Sequence, residues 1–266
     1  MKCIYQVDAF TTVPFRGNPA AICLLDTPRD AAWMQALAGE MNLSETAFPS
    51  REGSGWRLRW FTPLKEVSLC GHATLATAHI LWSEGLVPTH EMIAFETLSG
   101  TLTAVRDGEW IQLDFPARSV EPTETNSLLA RALGDPQVLT WNDSRSAKVY
   151  CLLELASAEA VRALAPDFAL LATCGARGVI VTARSDDPAY DFVSRFFAPL
   201  LGINEDPVTG SAHCYLAPYW EAKLGRCTLT GYQASARGGV VGCELRGERV
   251  LLRGQAVTVF KGELVV

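Results

Sequence analysis

The chain has 266 residues, 48% hydrophobic and 20% charged, which is the balance of an ordinary globular protein and excludes a disordered or fibrous one. The length suits one large domain or two of about 130 residues. A net charge of −6, a pI near 5.3 and no run of Lys or Arg exclude the electrostatic footprint of a nucleic-acid or anionic-membrane binder.

In chain order, Cys3–Phe10 alternates as a strand, Thr11–Asn18 is a loop marked by Pro14 and Gly17, and Pro19–Leu25 is a second strand. Thr27-Pro28-Arg29-Asp30 opens a helix in which Ala31, Met34, Leu37, Ala38 and Met41 recur at helical spacing. Glu45 follows, before a short strand at Thr46–Phe48. Trp56–Phe61 reads as a strand, Ala73–Trp82 as an apolar helix ending at Gly85, and two strands flank Leu98–Thr101 before a strand at Trp110–Phe115. Pro116–Asn126 is polar and reads as a linker. Beyond it come a strand at Val149–Leu155, a helix at Ala158–Ala165, strands at Gly178–Thr182 and Tyr190–Phe197, a helix at Ala212–Leu224, and short Gly-punctuated strands from Thr228. Strands outnumber helices and no strict βαβ rhythm appears, so the pattern favours α+β over a Rossmann sheet.

The eight cysteines contain no CxxC pair, so zinc-ribbon and thioredoxin patterns are absent. The opening MKCIYQVDAF lacks the apolar run of a signal peptide, and no apolar stretch reaches the roughly 20 residues of a membrane span. A cytoplasmic protein with reduced thiols is expected; all but Cys70 are expected to be buried.

An internal echo organises the chain. Arg59–Trp82 reads RWFTPLKEVSLCGHATLATAHILW, and Arg195–Trp220 reads RFFAPLLGINEDPVTGSAHCYLAPYW. Each runs Arg-aromatic-Phe, Pro-Leu, an acidic residue (Glu66; Glu205 and Asp206), Gly-polar-Ala, and an apolar helix. The second copy carries three more residues between Pro and Gly. The echo predicts two domains of common ancestry, 1–116 and 117–266, with a last strand at about 254–266 packing back on the first.

At each glycine turn a helix begins, and its first N–H groups have no partner within the helix and attract anions. Gly71 and Gly210 are thus candidates to bind a substrate carboxylate or to stabilise charge left by a departing proton; the plainer reading is two capped helix starts. His72 would bond a ligand, or serve as a buried, satisfied group. Glu45, set among Leu43, Ala47 and Phe48, is a candidate proton shuttle, though locally it also reads as a surface residue after a helix. Asp206 would orient a cation or merely shape the Asp-Pro turn. Cys70, at a helix N-terminus, is a candidate thiolate base; the echoed position holds Thr209, so no second thiol faces it. His79, His90 and His213 read as structural, and no His spacing resembles a metal set.

Together, VDAF with GNPAA (Val7–Ala21), NLSETAF (Asn42–Phe48), Arg59–Ala76, Arg195–His213 and QASARGG (Gln233–Gly239) resemble the phenazine-biosynthesis PhzF-like isomerase family of the diaminopimelate-epimerase superfamily. The resemblance covers nearly the whole chain. It implies an α+β fold of two similar domains, each a curved, mostly antiparallel sheet wrapped round a central helix, with the active site between them. It also implies a homodimer with no metal or organic cofactor, acting on a small carboxylate-bearing molecule. It makes Glu45 the general acid/base, places His72, Asp206 and Ser211 against substrate, and gives the backbone at Gly71 and Gly210 to its carboxylate. The expected function is a cofactor-independent proton shift, on a substrate class that includes cyclic amino acids. The alternatives are a two-base amino-acid epimerase using Cys70 with Glu45, and a non-catalytic small-molecule-binding protein.

Overall fold

The computed structural model describes residues 3–265 except 28, 54, 125, 135–138 and 144–149. Pro28 and Val149, expected at element ends, therefore lie outside the described residues. The chain divides into two compact units, Met1–Phe115 with Leu251–Val266, and Pro116–Val250.

In the first unit the elements are β1 (Cys3–Ala9), β2 (Asn18–Leu24), α1 (Ala31–Met41), β3 (Glu45–Glu52), β4 (Gly55–Phe61), β5 (Glu66–Val67), α2 (Gly71–Ser83), β6 (Ile93–Thr97), β7 (Gly100–Asp107) and β8 (Trp110–Pro116). The second unit adds β9 (Glu121–Thr123), α3 (Ser127–Ala132), β10 (Leu139–Asn142), β11 (Tyr150–Glu154), α4 (Ala158–Ala163), α5 (Phe168–Leu171), β12 (Gly178–Arg184), β13 (Phe192–Phe197), α6 (Gly210–Leu224), β14 (Thr228–Gln233) and β15 (Gly239–Arg246). The chain then returns through β16 (Arg249–Gly254) to β17 (Ala256–Glu263), which pairs antiparallel with β1.

The two units repeat one pattern of strand pairing. In the first, β1–β2 is antiparallel, β2–β3 parallel, β3–β4 antiparallel, β4–β6 parallel and β6–β7 antiparallel. In the second, β10–β11, β11–β12, β12–β13, β13–β14 and β14–β15 follow the same alternation. Parallel pairs need a long crossover, and the helices supply it: α1 and α2 in the first unit, α4 with α5 and then α6 in the second. The sequence shows no strict βαβ rhythm because an antiparallel pair separates each crossover from the next.

Each unit holds a helix that is apolar nearly all round, as a buried helix must be. In α2, the run from His72 to Ala78 is buried without a break, and the helix packs on β1, β2, β3 and β17. Ala212–Ala217 of α6 are buried likewise, and α6 packs on β14 and β15. Thr74 and Thr77 remain in this apolar setting because each hydroxyl bonds the carbonyl four residues back, at 2.5 and 2.7 Å. On another face of the first unit, Met34, Leu37 and Ala38 of α1 close on Ile4, Cys23, Phe48 and Phe61.

Several sequence expectations are corrected. The segment read as a linker carries β9, and α3, α5, β5 and β10 were not expected. They are short, and six residues or fewer show little periodicity. All eight cysteines are free thiols, but Cys227 is exposed and Cys3 and Cys174 are half-buried, contrary to the expectation that all but Cys70 are buried. Cys70 is itself buried. Burial pushes Cys151 up to about 11 and Cys214 up to about 12, so both thiols are inert. Among the described residues no helix is long and apolar enough to cross a membrane.

Candidate active site

Helix α1 is closed by its C-cap Asn42, whose N–H makes the last bond of the helix, to Ala38 O at 3.2 Å, and whose left-handed backbone (φ 49°) turns the chain out of it. The chain then turns directly into β3, and Glu45 is its first residue, paired with Ala20 of β2. Glu45 is therefore not a surface residue after a helix. It opens an interior strand, with its side chain 14% exposed.

Two residues before α2's His72, Cys70 occupies the N-cap in extended conformation, and its side chain makes no capping hydrogen bond. The N-cap of α6, Thr209, is extended and uncapped in the same way. A capping oxygen ordinarily answers the orphan N–H groups of the first turn. Both central helices thus begin at Gly without one, which leaves their first turns suited to an anionic ligand.

In the first unit Glu45, Cys70 and His72 converge, with one polar atom of each lying within 4.8 Å of the others. His72 Nε2 is 3.4 Å from Glu45 Oε2, and His72 Nδ1 is 3.5 Å from Cys70 Sγ. The first contact falls within ion-pair distance, yet Nε2 makes no hydrogen bond. Burial pushes His72 down to about 3, so its ring is neutral at pH 7 and the contact is not an ion pair. Cys, His and Glu are also a plausible donor set for a soft divalent ion.

In the second unit the glycine turn is held by a buried polar knot. Gln233 Oε1 accepts from the Thr209 N–H at 2.8 Å, and its Nε2 donates to Asp206 O at 2.7 Å and to Thr209 Oγ1 at 3.1 Å. Thr209 Oγ1 donates to Asp206 Oδ2 at 2.5 Å. Asp206 thus orients Thr209, whichever further role it has. Gly210 is buried, and Ser211 is exposed on the first turn of α6. His213, buried in the same helix, bonds Thr209 O through Nδ1 at 2.8 Å, and His79 bonds Thr258 Oγ1 at 3.0 Å, so both have structural partners.

Sequence reasoning did not single out Gln233 or the ion pairs behind the echo. Arg59 clasps Glu66 through two bonds of 2.7 and 2.8 Å, and Arg195 clasps Glu205 through two of 2.7 and 2.9 Å. Each arginine also lies over the ring two residues on, Phe61 at 5.1 Å and Phe197 at 4.9 Å. Glu205, not Asp206, is therefore the counterpart of Glu66. The Arg-aromatic-Phe signature and the following acid were the available signal.

Residues 7–262 match the family described as phenazine biosynthesis-like protein. A protein named an uncharacterized isomerase in Halalkalibacterium halodurans is 50% identical over 263 residues, which is 99% of this chain and 98% of that protein. The crystal structure of a PhzF-family phenazine biosynthesis protein from Enterococcus faecalis superposes with a TM-score of 0.93 at 43% identity, covering 100% of this chain and 99% of that one. A hydroxyproline epimerase from Agrobacterium vitis shares the fold, with a TM-score of 0.64 at 10% identity, over 98% of this chain and 91% of the other. This chain belongs to the phenazine biosynthesis-like (PhzF) family, an isomerase-type family of enzymes.

Proposed function

We propose that the protein is a cofactor-independent isomerase that moves a proton on a small carboxylate-bearing substrate, with Glu45 as the general acid/base. The observation that carries this reading is the placement of Glu45 at the head of β3, 3.4 Å from a neutral His72 at the uncapped start of α2. Glu45 removes a proton from carbon and returns it elsewhere on the same molecule. The α2 N-terminus at Gly71 lies beside it and offers N–H groups to the negative charge left behind. A neutral His72 supplies a hydrogen bond without a competing positive charge. Asp206, Ser211 and the Gly210 backbone are assigned to substrate contacts on the strength of the family motif they match.

The two-base alternative fits the geometry less well. Opposed bases must each reach one carbon from opposite sides, and reacting atoms stand about 3–3.5 Å apart, so the pair spans roughly 6–7 Å. Cys70 and Glu45 present atoms within 4.8 Å of each other, side by side rather than opposed.

The test is a screen of small carboxylates in D₂O, followed by mass spectrometry. Wild type is expected to incorporate deuterium into one class of substrate and shift its double bond or proton. Tight binding without exchange or product would support the non-catalytic alternative instead. The family reading also gives a homodimer, which sedimentation tests as twice the 28.9 kDa chain mass.

A further inference from the structure

The thiol of Cys70 has a role that follows from hydrogen-bond logic around His72. An N-cap side chain ordinarily turns into its own helix. Cys70 does not; its Sγ sits 3.5 Å from Nδ1 of His72, while the opposite ring nitrogen faces Glu45 Oε2 at 3.4 Å. A neutral imidazole carries one donor and one acceptor. An ionised carboxylate can only accept. With the Glu45 carboxylate ionised, the nitrogen facing it carries the ring's proton, and Nδ1 is left as an acceptor that the thiol S–H can fill.

We propose that Cys70 is a positioning residue for the acid/base: its thiol donates to Nδ1 of His72, holds the ring in the Nε2–H form, and so aims that N–H at the Glu45 carboxylate. Its value for catalysis rests on the reading of Glu45 as acid/base; the tautomer rests only on that carboxylate being ionised. Nε2 has no hydrogen-bond partner as it stands, although His72 is buried. Leaving a buried polar group unmatched is costly, and catalytic hydrogen bonds are often long without substrate and tighten when it binds. The corresponding residue of the second unit behaves alike. Thr209 turns its hydroxyl away from its own helix and donates to Asp206. In both units the N-cap side chain orients a neighbour instead of capping.

The experiment uses full-length protein with ¹⁵N-labelled histidine and long-range ¹H–¹⁵N correlation of the four imidazoles, the His72 signals being assigned by their absence in His72→Gln. Wild type is expected to show His72 with Nε2 protonated and Nδ1 at the shift of a hydrogen-bonded acceptor. In Cys70→Ala the Nδ1 signal should move to that of a free acceptor, or a second tautomer should appear. Cys70→Ser should restore the bonded shift in part, and Cys70→Val provides the donor-less side chain if the alanine variant does not fold. With a confirmed substrate, Cys70→Ala should lower kcat roughly five- to tenfold and leave KM unchanged. A wild-type ring protonated at Nδ1, or a His72 spectrum identical in wild type and Cys70→Ala, overturns the proposal. Either result leaves the Glu45 reading intact. That reading fails separately if Glu45→Gln keeps proton exchange.

Discussion

His72 Nε2 stands 3.4 Å from Glu45 Oε2, and the imidazole that makes this approach is neutral because burial pushes it down to about 3. The second unit buries His213 in the same state, pushed down to about 4. A histidine whose folded pKa is depressed binds its proton more readily when unfolded, so stability falls as pH drops below about 6.5. At pH 5 each histidine contributes a loss of about 2 kcal/mol. The urea midpoint of wild type should therefore drop between pH 7.5 and pH 5, and the drop should be smaller in His213→Gln. An unchanged pH dependence in that variant would show that His213 is not the source.

The Arg59–Glu66 clasp should matter to stability. The pair is mostly buried, with side-chain exposures of 21% and 25%, and the Arg59 guanidinium holds the Glu66 carboxyl below its ordinary range. A depressed carboxylate stabilises the fold above its unfolded pKa and loses that contribution as pH falls through the folded one. Glu66→Gln is expected to cost about 1–3 kcal/mol at pH 7, read as a lower urea midpoint, and to cost less at pH 3, because wild type loses the same interaction as pH falls through the lowered Glu66 pKa. An equal loss at both pH values would contradict the ion-pair account.

Gln233 is a second structural test. It is buried, and its amide serves Thr209 and Asp206 at once. Gln233→Leu keeps much of the volume but strands the Thr209 N–H and the Asp206 carbonyl, at a cost of about 2–4 kcal/mol. Chemical denaturation measures it. A variant as stable as wild type would show that the knot is not needed to hold the turn before α6.

Much of the site was legible in the sequence because its signals are local. Gly71 and Gly210 open apolar helices after an Arg-aromatic-Phe strand, and that order survives in both halves. Glu45 shows where locality stops. Nothing in NLSETAF reveals that its carboxylate will meet residues 25 and 27 positions later, since that contact is made by the parallel β2–β3 pair and by α2 crossing beneath it. The pairing of Arg195 with Glu205 rather than Asp206 was hidden likewise, because adjacent acids look alike until the backbone aims them. Cys70 was visible as a reactive position, but its orientation toward a ring nitrogen depends on a missing cap that no composition or spacing reports.

The central claim is that Glu45 moves the proton. The direct measurement compares wild type with Glu45→Gln, which keeps the shape and removes the base, for the rate of deuterium uptake into a turned-over substrate in D₂O. The account predicts a fall of roughly 10²–10⁴-fold with substrate binding retained. Exchange at the wild-type rate in Glu45→Gln would contradict it.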